Sequence, residues 1–275
     1  MSLPGTSERQ PLMVLPREPE RLFRVTSVAE NDLVVTSSMP VGAWLEGADG
    51  QITGGSLGVL VDNVLGYAIL LERPADHWSV TSEISIDLCQ PIAPRGRLFA
   101  YARPVSVDSR GAISSGEVRD EEGRVVALCR QHGRFISHLP TRASVEQQVD
   151  PGPAAPAPER SLFDLLGAEA SMTKQGAVLD VVAAARHSNP LTNMHGGVTL
   201  CLADLTAVAA LEEHVGPMAR ASIHVVYVRP IPMGTAMRFT ATVEHAGRTF
   251  AVARVEARSA DDRLCAAATI TAAPR

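Results

Sequence analysis

The chain has 275 residues, 45% of them apolar and 20% charged, with a net charge of −5. That apolar share can offset the entropy of ordering a core, which excludes disorder throughout. An acidic balance and 4% aromatic residues argue against a nucleic-acid binder, which shows a basic excess and stacking platforms. In chain order, residues 1–19 read as a tail. Four prolines and scattered charges between Met1 and Glu20 do not form the apolar core of a secretion signal. No apolar run reaches the ~18 residues of a membrane span, so the expectation is a cytoplasmic protein without membrane contact. Asn31–Ser37 reads as a first strand. Leu57–Leu71 is apolar nearly all round, which describes a helix buried on every side. Val80–Cys89 alternates with period two and stops near a proline, as a strand does. Arg97–Val107, Ile113–Asp120 and Arg124–Ile136 follow as strands joined by Gly- or Asp-rich turns.

Residues 138–160 break this pattern with five prolines and almost no bulky apolar side chain, the composition of an extended spacer. Beyond it the same series returns: a strand at Ala177–Arg186, a buried helix at Val198–Leu211, and strands at Ala221–Val228, Ala236–His245, Thr249–Ser259 and Arg263–Ala273. The local sequence repeats as well. TGGSLGVLVDNVLGYAIL from Thr53 matches HGGVTLCLADLTAVAALE from His195, each with an Asp seven residues after the second Gly. TSEISIDLCQPI from Thr81 matches RASIHVVYVRPI from Arg220. The chain therefore reads as a duplicated α+β domain, residues 20–137 and 161–275, each an antiparallel sheet wrapped round one central helix. Its four cysteines stand singly in apolar stretches and read as small core residues rather than metal ligands or disulfides.

Three features carry chemistry. Gly54, Ser56 and Gly58 match the Gly-x-Ser-x-Gly of a nucleophile elbow, but that motif needs an alternating α/β sheet and a later Asp and His. The second half places Val198 where Ser56 stands, so the glycines are better read as a close backbone approach at a helix start. Asp62 and Asp204 lie well inside helices that otherwise read as core, too deep to be caps. A buried carboxylate needs a partner, and recurrence at one repeat position marks both as site candidates. His195 and Gly196 open the second helix behind Asn189 in NPLTNMHGG. Unpaired N–H groups at a helix start can hold a developing oxyanion.

Asn189, His195-Gly196-Gly197 and Asp204, followed by a strand ending in Arg229-Pro230, resemble the PaaI type of hotdog-fold acyl-CoA thioesterases. The resemblance covers nearly the whole chain twice and implies two hotdogs fused in tandem, a double hotdog. It implies hydrolysis of a coenzyme A thioester at the seam, with no cofactor beyond the coenzyme A of the substrate and no metal. In that family one hotdog supplies the Asn, His and Gly, and its partner supplies the helix Asp and a Ser or Thr of the next strand. Carried over, the first site takes Asn189, His195 and Gly196 with Asp62 and Thr81. Gly196 N–H would hold the carbonyl oxygen, Asp62 would be general base or nucleophile, and Glu83 is a reserve on the face of Thr81. The second site takes Gly47, Thr53 and Gly54 with Asp204 and Arg220, lacks the Asn, the His and the hydroxyl, and is expected to be degraded. A further pairing of two such chains is expected from the same resemblance. A non-catalytic acyl-CoA-binding protein remains open, and an enoyl-CoA hydratase is disfavoured because Tyr67 and Ala209 stand where its Asp-x4-His pair needs His.

Overall fold

Both halves of the chain build one strand–helix–strand unit in the computed structural model, which describes residues 17–26, 28–31, 33–47, 50–139, 161–174, 176–216 and 219–273. The expected tail up to residue 16 and the expected spacer from 140 to 160 lie outside the described residues. The first half runs α1 (Glu18–Phe23), β1 (Ala29–Asn31), β2 (Val34–Val41), α2 (Gly58–Leu70), β3 (Trp78–Leu88), β4 (Gly96–Asp108), β5 (Gly111–Arg119) and β6 (Val125–Ile136). The second runs α3 (Leu162–Leu166), β7 (Ala168–Thr173), β8 (Gly176–Val182), α4 (Gly196–Val215), β9 (Ala219–Tyr227), β10 (Ala236–Ala246), β11 (Ala251–Ser259) and β12 (Leu264–Ala273). In β2, and in β10 as far as Ala241, every second residue is buried, because alternate side chains of a strand share one face. Those faces close over α2 and α4, most of whose residues are buried. The short elements α1, β1, α3 and β7 were not among the expected ones. Their signals are local: Pro19 in the first turn of α1, and a Ser161–Asp164 capping box that starts α3.

The twelve strands among the described residues form one antiparallel sheet in the order β1-β2-β4-β5-β6-β3-β9-β12-β11-β10-β8-β7. Under the repeat equivalence the order is palindromic, so the halves are two hotdogs joined edge to edge. At the join β3 pairs with β9, from Glu83 opposite Val226 to Asp87 opposite Ser222. Each unit thereby covers the bare edge that the other would expose. Ile84, Ile86, Ile223 and Val225 point inward there and are fully buried. Above them α2 and α4 touch through two glycines. A Cβ on Gly197 would lie 2.3 Å from the Gly58 carbonyl oxygen, and one on Gly58 would lie 2.4 Å from that of Gly197. Only a residue without a side chain permits that approach. One apolar core runs through both halves. Cys129, Cys201 and Cys265 are buried in or against it, Cys89 is exposed, and all four are free thiols.

Candidate active site

A cavity of about 500 Å³ opens at the seam and takes its walls from both halves. Asp62, on α2, reaches it and is 8% exposed. Its Oδ1 accepts the Thr81 hydroxyl at 3.0 Å, and Thr81 Oγ1 in turn accepts Gln131 Nε2–H at 3.0 Å. Its Oδ2 accepts Gly197 N–H from the second half at 2.9 Å, with His195 Nδ1 3.1 Å away. A nearly buried charge is thus met on both oxygens, which offsets the cost of removing it from water. Thr81 owes its direction to a β-bulge. Pairing of β3 with β6 shifts between Thr81 and Glu83, leaving Ser82 as the extra residue and changing which face the chain presents. Glu83, expected on the face of Thr81, therefore turns away from the cavity. It lies 3.5 Å from His224 Nε2 across the seam, with a side chain 38% exposed.

The second half contributes a preformed turn and a helix start. Asn189 Oδ1 accepts Leu191 N–H at 2.9 Å and Asn193 N–H at 3.1 Å, an Asx-type turn. With its oxygen so engaged, the group Asn189 has to offer the cavity is its amide N–H. His195 is the extended N-cap of α4, and Gly196 is the first helical residue, whose N–H has no partner within the helix. A Cβ on Gly196 would lie 2.7 Å from Asp62 Oδ2. The Tyr227 hydroxyl donates to the Gly196 carbonyl at 2.8 Å, fixing that peptide from behind. Asp62, Thr81, Asn189, His195 and Gly196 thus line one cavity. Glu20 and Gln131 were missed. Glu20 comes from α1, is 8% exposed, and places Oε1 3.5 Å from His195 Nε2.

The equivalent place in the other half is closed. Asp204 is 0% exposed; its Oδ2 accepts the Thr53 hydroxyl and, at 2.8 Å, Gly55 N–H. Gly55, the repeat counterpart of Gly197, is therefore the partner of Asp204, and Gly54 stands one residue before it as Gly196 stands before Gly197. A Cβ on Gly54 would lie 2.6 Å from Leu88, and Leu88 stands where the other half has Tyr227. Ile270 stands where Gln131 does, and Asp204 Oδ1 is left without a partner. Gly47 lies in a turn, donating its N–H to Gln51 O at 2.8 Å; the Arg220 side chain falls outside what is described. Ser56 is fully buried and gives its hydroxyl to Thr53 O at 2.7 Å, so it is a helix-start residue and not an exposed nucleophile.

A family model described as the thioesterase superfamily matches residues 50–127 and 191–266, once in each half. The chain is 32% identical over 93 residues to the "Putative esterase F42H10.6" of Caenorhabditis elegans, a match spanning 33% of this chain and 55% of that protein's length. Among solved structures, the tesB protein of Mycobacterium avium subs paratuberculosis aligns over 90% of this chain and 96% of its own, with a TM-score of 0.64 at 11% identity. The acyl-CoA thioesterase II TesB2 of Mycobacterium marinum covers 93% and 96%, with a TM-score of 0.60 at 11% identity. An acyl-ACP thioesterase of Bacteroides thetaiotaomicron covers 88% and 98%, with a TM-score of 0.58 at 14% identity. At these identities the structural likeness speaks to the fold: two hotdogs in tandem. Among the described residues no helix is long and apolar enough to cross a membrane.

Proposed function

The chain belongs to the thioesterase superfamily; from that premise we propose that it is a thioester hydrolase that cleaves an acyl-coenzyme A at the seam cavity, with the PaaI-type division of labour between halves. Gly196 N–H and the Asn189 amide receive the thioester carbonyl oxygen. Asp62 takes a proton from water as the water oxygen bonds to the carbonyl carbon, and the negative charge moves onto that carbonyl oxygen. The intermediate collapses by breaking the C–S bond, and Asp62 returns the proton it took from water to the leaving thiolate, giving the carboxylic acid, free coenzyme A and the carboxylate restored. Thr81, held by Gln131, keeps Asp62 oriented toward the water. No cofactor enters this scheme, since coenzyme A arrives with the substrate.

The observation that supports it most is the carboxylate of Asp62, gripped by Thr81 and Gly197, in the same cavity as the helix-start N–H of Gly196. A base and an oxyanion donor side by side are what acyl transfer to water requires. The test is thiol release from a panel of acyl-CoA substrates run beside the matching acyl-carrier-protein thioesters. Turnover of coenzyme A substrates supports the proposal. Turnover of carrier-protein thioesters alone overturns the substrate assignment, and tight binding of acyl-CoA without turnover overturns the enzymatic one.

A further inference from the structure

His195 lies between two carboxylates of the first half. Its Nδ1 is 3.1 Å from Asp62 Oδ2 and its Nε2 is 3.5 Å from Glu20 Oε1, with the Glu20, Asp62 and His195 residues each no more than 8% exposed. Gly197 N–H lies 2.9 Å from Asp62 Oδ2 and 3.1 Å from His195 Nδ1. One N–H gives its main bond to one acceptor, and a carboxylate oxygen is the stronger. With Gly197 donating to Asp62, an unprotonated Nδ1 would turn a lone pair toward the same charged oxygen. A proton on Nδ1 removes that conflict, and a proton on Nε2 answers Glu20. The carboxyl of Glu20 is itself held: its Oε2 accepts Arg17 N–H at 3.0 Å, so Oε1 is aimed rather than free to swing.

We propose that Glu20 is a positioning residue for thioester cleavage, holding His195 as an imidazolium whose Nδ1–H is directed at Asp62 and the reacting carbonyl. This rests on the seam cavity being the hydrolytic site. Glu20 lies outside the residues shared with the superfamily model, 50–127 and 191–266, so the device belongs to this chain's own N-terminal helix. The acid at the same capping-box position of α3, Asp164, is exposed and bonds Ser161 at its own helix start instead.

The remaining titratable groups leave this arrangement intact. Arg17 flanks Glu20 on the α1 side. Burial, and next the charge of Glu20, hold Tyr67 of α2 neutral; burial and Asp62 do the same to Tyr227 of β9. His187, whose carbonyl takes His195 N–H at 2.8 Å, is pushed down to about 4 by burial and by Arg186. Burial alone would lower His195 and raise Glu20. Asp62 and Glu20 instead lift His195 above its ordinary value, and hydrogen bonding to His195 takes Glu20 below its own. The imidazolium is then kept at low and neutral pH and lost as pH rises through the raised His195 value, which sets an alkaline limb of activity.

The experiment pairs rate profiles with nuclear magnetic resonance of ¹⁵N-labelled histidine in the full chain. For the wild type, both His195 ring nitrogens are expected in the protonated range at neutral pH; a neutral ring there overturns the proposal. In Glu20→Gln the neutral amide keeps the shape but not the charge. The His195 titration and the alkaline limb of kcat/KM should then both move down by about one pH unit or more, while Glu20→Asp keeps most of the wild-type profile. A Glu20→Gln enzyme with a lower melting temperature and an unmoved profile overturns the proposal, showing a structural role alone. If Glu20→Gln does not fold, the wild-type ring titration decides. If the wild type cleaves no acyl-CoA, the hydrolytic reading fails separately, and the ring titrations still decide whether Glu20 holds the imidazolium.

Discussion

Thr81 shows how narrowly the site depends on single atoms. Its hydroxyl donates to Asp62 and accepts from Gln131, so Thr81→Val removes two bonds without changing the side chain's size. We expect kcat/KM to fall about tenfold or more as Asp62 loses the bond that orients it, and the melting temperature to fall as well because buried polar groups are left unpaired; an unchanged rate would remove Thr81 from the mechanism. Gly196→Ala sets a Cβ 2.7 Å from Asp62 Oδ2 and should cost still more in rate as the carboxylate is displaced. Asp62, Thr81, Asn189, His195 and Gly196 were legible because a repeat compares each half with the other, and because the Asn…His-Gly-Gly spacing is specific. Glu20 and Gln131 were not, since Glu20 sits on a helix too short to foresee, Ile270 stands at the repeat position of Gln131, and nothing in composition marks either residue. The family pattern names the glycine that meets the substrate, Gly196 and by repeat Gly54, whereas each carboxylate bonds the next one, Gly197 or Gly55.

Among the elements, the long buried helices and alternating strands were read to within a few residues, because burial imprints period and composition directly. The brief α1, β1, α3 and β7 carry too few residues for a period to emerge, and the bulge at Ser82 leaves no trace in alternation until the partner strand is known. That bulge put Glu83 on the wrong face in the sequence reading. The crossing of α2 and α4 gives an element-scale prediction. Gly58→Ala would drive a Cβ to 2.4 Å from the Gly197 carbonyl oxygen, backbone that has no rotamer to yield. It should destabilise the fold by about 1–3 kcal/mol, the usual cost of overpacking, despite the better helix propensity of alanine. Urea titration measures it; a neutral or stabilised variant would show that the helices sit farther apart.

At the scale of the molecule, one core and one sheet run across the repeat, so neither half has a surface of its own to fall back on. Unfolding should be a single cooperative transition. The two tryptophans, Trp44 and Trp78, both lie in the first half, so their fluorescence reports that half while circular dichroism reports both. Coincident midpoints are expected; a separate fluorescence transition would mean that the halves unfold independently. Fusion of the two units in one chain also frees them to diverge, and they have: one carboxylate opens on a cavity while its counterpart is sealed beneath Thr53 and Gly55. The comparison of kcat/KM for Asp62→Asn and Asp204→Asn, with melts to confirm folding, tests this asymmetry most directly. The account predicts a loss on the order of a hundredfold or more for Asp62→Asn and a rate near wild type for Asp204→Asn. Equal losses, or the reverse ranking, would contradict it.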